Sequence, residues 1–210
     1  TWKEAPAKVQ WASGVEQIKA VDPEIPNVGL KGDYYVAPMY TSPEFTKFEG
    51  SVMSIDPSGR GEDKTAYSVL KMLHGVLYLT AIGSLDGGYS EETMAKLSQI
   101  AKQQEVNYVV IESNFGDGMA TALLKPVMAK IHPCEIEEVR HMSRITRDKG
   151  ALRHDDQIDA LAIAANYWVQ RMDRDQTLSY NQHKEDLLDA DLEKFMESAI
   201  GRKPREERFI

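Results

Sequence analysis

The chain reads as an α/β domain, a mixed β-sheet with helices packed on its faces. Two observations predict it. Between Gly50 and Met172, β-prone runs alternate with amphipathic helical runs in the order β-β-β-α-β-α-β-α, and such alternation builds one sheet covered by helices. Two of the β-prone runs end on acids, Asp56 and Glu112, and the last helix opens on three more, Asp155, Asp156 and Asp159. With 210 residues, 42% of them hydrophobic, the chain can bury one sizeable core and still carry extensions.

Residues 1–48 have weak periodicity and many turn-formers, including Pro6, Pro23, Pro26, Pro38 and Pro43. They read as an extended lead-in that wraps the core, with one short helix or strand. Its Trp2, Trp11, Tyr34, Tyr35 and Tyr40 are expected to dock on the domain, with stacking on bases as the sharper alternative. The core, residues 49–174, opens with a strand at Ser51–Asp56, followed by a Pro-Ser-Gly-Arg-Gly turn. Runs Thr65–Leu73 and Val76–Gly83, joined by a tight His74-Gly75 turn, complete an antiparallel meander. Tyr89–Gln103 is a helix with Ser90 as N-cap and Glu91 and Glu92 in its first turn. Val106–Glu112 is a strand, Asp117–Ile131 a helix interrupted or kinked by Pro126, and Glu135–Arg140 a short strand. A long helix runs from about Asp155 to Met172. Residues 175–210 form a peripheral end, an acidic amphipathic helix over Glu185–Glu197 and a charged tail.

The acids carry the chemistry. If the first and fourth strands are parallel neighbours, Asp56 and Glu112 lie together at their C-terminal ends, where open α/β sheets form crevices. Asp156 and Asp159 share a helical face with Ile163, the face that packs on the sheet. The plainer alternatives are that Asp56 caps its turn and the aspartates cap their helix. Carboxylates clustered without lysines repel one another unless a divalent cation neutralises them. Oxygen-only ligands suit Mg²⁺ or Mn²⁺, and a pair of such ions about 3.5–4 Å apart supports phosphodiester hydrolysis. Asp56, Glu112 and one of Asp155, Asp156 and Asp159 are therefore the candidate ligands.

Arg140, Arg144, Arg147, Lys149 and Arg153 stand against Asp148 alone just before the aspartates. This loop could hold a nucleic-acid backbone, or be a solvated charged loop. His141 and His154 are candidate proton carriers or ordinary surface histidines. A formal net charge of −8 argues against a nonspecific polyanion binder without excluding a nucleic-acid enzyme. The single cysteine, Cys134, excludes a disulfide framework and a Cys-based zinc site and suits a reducing cytosol. Nothing in the sequence given resembles a signal peptide, no apolar run nears the ~20 residues of a membrane span, and it holds no GxSxG and no Walker A loop.

Together the order of elements and the placement of the acids resemble the ribonuclease-H-like (retroviral-integrase-like) fold. More closely, SIDPSGRGEDKTA, VVIESNFGDG and HDDQIDALAIA resemble the nuclease domain of the large subunit of a tailed-bacteriophage DNA-packaging terminase, of the short-tailed coliphage type. The likeness covers about Ser51–Trp168. It implies that Asp56, Glu112 and Asp156 are the catalytic metal ligands. Asp155 and Asp159 stay candidates, Asp63 is an accessory acid, and Asn114, Gly116 and Gly118 form a polar turn beside the site. It implies cutting of concatemeric double-stranded DNA, in the cytoplasm of the infected bacterium and transiently at the procapsid portal, not in the mature virion. The implied partners are DNA, the portal protein, a terminase small subunit and an N-terminal ATPase domain of the same polypeptide, with no membrane. The ATP-binding motifs of that domain are absent here, and with no initial methionine the chain is expected to be a piece of something longer. Two alternatives remain. One is another enzyme of the fold, such as a junction resolvase, transposase or ribonuclease H; the other is a portal-docking module without catalysis.

Overall fold

The computed structural model describes residues 3–12, 17–20, 34–58, 64–113, 118–139 and 157–174. The chain divides into two units, Thr1–Ala165 and Asn166–Ile210. In the second, residues 166–174 are helical, and the Tyr167 and Trp168 rings meet edge to face with centroids 5.6 Å apart.

The lead-in folds back on itself. Strands β1 (Glu4–Pro6), β2 (Val9–Gln10) and β3 (Ile18–Lys19) run out, and β4 (Val36–Ala37), β5 (Tyr40–Thr41) and β6 (Phe45–Lys47) return. The antiparallel pairs β3–β4, β2–β5 and β1–β6 are nested, so they form one two-stranded ribbon. Pro38 and Pro43 fall between the returning strands and split the ribbon into short ladders, since proline donates no backbone hydrogen bond. This corrects the expected extended wrap. A segment laid on the core must find partners there for its backbone groups, and pairing with itself supplies them. Trp11, Tyr34, Tyr35 and Tyr40 are also exposed rather than docked; Trp2 lies outside the described residues. The base of the ribbon meets the core: Ala5 is buried, Lys3 Nζ donates to Glu105 Oε1 at 2.7 Å, and the His74 ring nitrogen Nδ1 lies 3.1 Å from Ala7 O.

The main sheet is centred on β7 (Gly50–Asp56). On one side β8 (Thr65–Leu73) and β9 (Val76–Leu85) extend it as the expected antiparallel meander. His74 and Gly75 turn the hairpin with φ of 51° and 77°, the left-handed pair that a two-residue hairpin turn needs. Helix α1 (Glu91–Gln103) then crosses the sheet, capped by Ser90, whose Oγ accepts from Thr93 N at 3.2 Å. β10 (Tyr108–Glu112) enters parallel to β7 on its other side. Helix α2 (Met119–Ile131) runs on through Pro126, and β11 (Glu135–Val139) pairs in parallel with β10. The order across the sheet is β11-β10-β7-β8-β9. The last described helix, α3, covers 157–174.

Side-chain alternation divides the sheet into two faces. Met53, Ile55, Val69, Val109 and Ile111 form a dry core with Met94, Leu97 and Ala101 of α1 and Ala120, Leu124 and Met128 of α2. The opposite face carries Val52, Ser54, Ala66, Ser68 and Val110, all buried. The part of α3 in the first unit covers it with Ala160, Ile163 and Ala164. Leu97→Ala empties part of the dry core and should cost about 2–5 kcal/mol in urea unfolding.

At the ribbon end of the sheet Lys71 is buried, its ammonium 5.3 Å from the centroid of the Phe48 ring. Burial pulls its pKa below the ordinary 10.5. The unfolded chain then binds more protons below 10.5, so this lysine makes stability rise as pH climbs towards that value. Urea midpoints measured across that alkaline range should rise in the parent and rise less in Lys71→Met.

Candidate active site

The site begins with a register. In the β7–β10 ladder Ile55 pairs with Ile111, and the next residue on each strand is an acid, Asp56 and Glu112. Parallel strands lie about 4.8 Å apart. Because Ile55 and Ile111 point into the dry core, Asp56 and Glu112 point to the other face. Both are half-buried. The fold thus brings together two acids 56 positions apart in sequence, at the C-terminal ends of adjacent parallel strands, as the sequence required for a shared site.

α3 approaches the same place. Asp56 pairs with Ala66 across the β7–β8 ladder, and Ala66 with Ser84 across β8–β9. Gln157 Nε2 donates to Ser84 Oγ at 3.4 Å, so the first described turn of α3 lies at the level of Asp56. One turn on, Ala160 O accepts from Ser54 Oγ and, at 3.2 Å, from Ser68 Oγ. Asp159, half-buried, sits between these two anchor points in sequence. Among the described residues no three His, Cys, Asp or Glu side chains are grouped to hold a metal ion. Asp56, Glu112 and Asp159 therefore do not make a complete ligand set by themselves. Asp63, Asp155, Asp156, His141, His154 and the basic residues Arg140, Arg144, Arg147, Lys149 and Arg153 lie outside the described residues.

After Glu112 the chain stays anchored by Ser113 N, which donates to Val139 O at 3.1 Å. The turn's Asn114 and Gly116 lie outside the described residues. Gly118 starts α2 with a φ of 82° and no side-chain cap. A Cβ on Gly118 would stand 3.0 Å from Glu138 Oε1, so glycine lets this carboxylate reach the positive end of the helix. Sequence reasoning passed over Ser54, Ser68, Ser84, Gln157 and Glu138. The available signal was Ser54, a polar residue two places before Asp56 inside an otherwise apolar strand.

A family model for the ribonuclease-H-like domain of the bacteriophage T7 terminase matches residues 55–147. The core has a ribonuclease-H-like fold and over that stretch is similar to a terminase nuclease-type domain. The terminase large subunit of Enterobacteria phage T3 is 30% identical over 95% of this chain. The chain spans 42% of that relative's length. Among solved structures, Thermus thermophilus RuvC is similar at 19% identity and a TM-score of 0.40, over 54% of this chain and 90% of RuvC. The manganese-soaked, inhibitor-bound human cytomegalovirus terminase nuclease domain is similar at 10% identity and a TM-score of 0.38, over 57% of this chain and 82% of that one. The five-stranded order, parallel on one side of β7 and antiparallel on the other, is the mixed sheet that the sequence predicts.

The donor chemistry of this corner fits a hard divalent cation. Asp56 and Glu112 offer carboxylate oxygens only, and two negative groups on neighbouring strand ends disfavour each other in the metal-free chain. Mn²⁺ should raise the thermal midpoint of the parent and leave that of Asp56→Asn nearly unchanged, as differential scanning fluorimetry would record.

Proposed function

We propose that this chain is the nuclease part of a terminase large subunit, which hydrolyses phosphodiester bonds of concatemeric double-stranded DNA during viral genome packaging. The observation that carries this reading is the parallel β7–β10 register, which sets Asp56 beside Glu112 within a terminase-type core. Asp56, Glu112 and Asp156 are the proposed catalytic ligands, with Asp155, Asp159 and Asp63 as further candidates. Two ions of Mg²⁺ or Mn²⁺ would supply an activated water and stabilisation of the leaving oxygen.

The chain's own residues hold and orient. Strand pairing fixes the backbones of Asp56 and Glu112, so little reorganisation accompanies reaction. The sheet face that Asp56 and Glu112 share is covered next to them by the buried Ala160, Ile163 and Ala164. Arg140, Arg144, Arg147, Lys149 and Arg153 are the proposed contacts to the DNA backbone. By the same reading the partners are an ATPase domain of the same polypeptide, a small subunit and the procapsid portal. The place of action is the cytoplasm of the infected bacterium and, transiently, the portal. Among the described residues no helix is long and apolar enough to cross a membrane.

The test is cleavage of supercoiled and linear plasmid with Mg²⁺, Mn²⁺ or EDTA, by the parent, Asp56→Asn, Glu112→Gln and Asp156→Asn. Metal-dependent cutting that falls at least about a hundredfold in the variants is expected, the order of loss when a transition-state electrostatic group is removed. Near-parental cutting by one variant removes that residue from the ligand set. Preference for a four-way junction or an RNA–DNA hybrid over plain duplex would replace the terminase substrate with that one.

A further inference from the structure

On the α3 face, β7, β8 and β9 carry Ser54, Ser68 and Ser84. Ser54 and Ser68 are both 0% exposed. The neighbouring side chains on that face, Val52, Ala66 and Val110, are buried and apolar, as are Ile163 and Ala164 above them. Packing alone gives no reason for hydroxyls there, since a buried hydroxyl is costly unless it is bonded.

Both hydroxyls converge on one atom. Ser54 Oγ donates to Ala160 O, Ser68 Oγ lies 3.2 Å from the same oxygen, and the two hydroxyl oxygens are 2.8 Å apart. With the proton of Ser54 on Ala160 O, the proton of Ser68 is shared between Ser54 Oγ and that carbonyl. Apolar contact between a helix and a sheet is non-directional and tolerates sliding. A hydrogen bond does not. Sliding α3 along its axis changes the length and angle of both bonds to Ala160 O at once, and each weakens away from its optimum.

The clamp is also next to the acids. Ser54 precedes Asp56 by two residues on the same face of β7, and Ala160 directly follows Asp159. We infer that Ser54 and Ser68 are positioning residues, which fix the height of α3 on the sheet. They thereby set where Asp159, on that helix, stands relative to Asp56 and Glu112. The inference rests on the metal-nuclease reading above. Ser84, reached by Gln157, is the weaker third point of the same clamp.

Mn²⁺ binding to the 210-residue chain, followed by isothermal titration calorimetry, tests it. The parent, Ser68→Ala, Ser54→Ala/Ser68→Ala and Leu97→Ala would be compared. The double variant should bind Mn²⁺ about 10–100-fold more weakly, the usual loss when an outer-shell partner of a metal ligand is removed. Ser68→Ala should lose less. Amide exchange over residues 160–165 should quicken in both serine variants. Leu97→Ala, on the other face, should lose stability but keep the parental Kd. Serine variants that bind Mn²⁺ as tightly as the parent overturn the inference, as does an equal loss in Leu97→Ala, which would mark general destabilisation. A parent that binds no Mn²⁺ overturns the metal reading itself and this inference with it. If the double variant does not fold, Ser68→Ala decides.

Discussion

The parallel pairing of β7 with β10 is the constraint on which the rest of this fold depends. Side by side and in register, the two strands end together on Asp56 and Glu112. A parallel pair cannot be closed by a short turn, so the chain must cross over, and α1 makes that crossing. The crossing helix buries the strand face bearing Met53, Ile55, Val109 and Ile111. Once that face is closed, α3 covers the other with Ala160, Ile163 and Ala164, and β7 is enclosed on both faces. The near-continuous burial of its run from Ser51 to Ile55 follows from the same arrangement.

The two faces of this sheet are built on different principles. The side against α1 and α2 is held by apolar volume, with Leu97, Leu124 and Met128 filling space between strands and helices. Such packing is strong but has little preference for one exact register of helix on strand. The side against α3 gives up apolar contact for the Ser54–Ser68–Ala160 bonds. Directional contacts stand where acids from separate elements must be aligned, and volume suffices where they need not be.

Much of this was legible because local chemistry and global pattern agree. The His74-Gly75 turn, the Ser90 cap, and strands ending at Asp56 and Glu112 all appear where turn, cap and β propensities put them. The parallel neighbourhood of the first and fourth strands followed only as a condition on the site, since a sequence states period and not pairing. The lead-in was misread for the same reason. Its ladders hold two or three residues each, too few to show alternation, and its prolines look like those of a coil. Exposed aromatics there contradict the habit of placing Trp and Tyr inside. The serine clamp was hidden because one buried hydroxyl in a strand has no periodic signature.

The crossover also orders events in time. The β7–β8–β9 meander joins neighbours in sequence and closes cheaply, whereas bringing β10 to β7 spans the whole of β8, β9 and α1. A chain still emerging from the ribosome, complete only to Gln103, can hold the meander but has no Glu112 to set beside Asp56. The acid pair thus cannot form before β10 has been made, and a copy cut short of it carries Asp56 without Glu112. Assembly of the corner therefore reports that the chain has passed its fourth core strand.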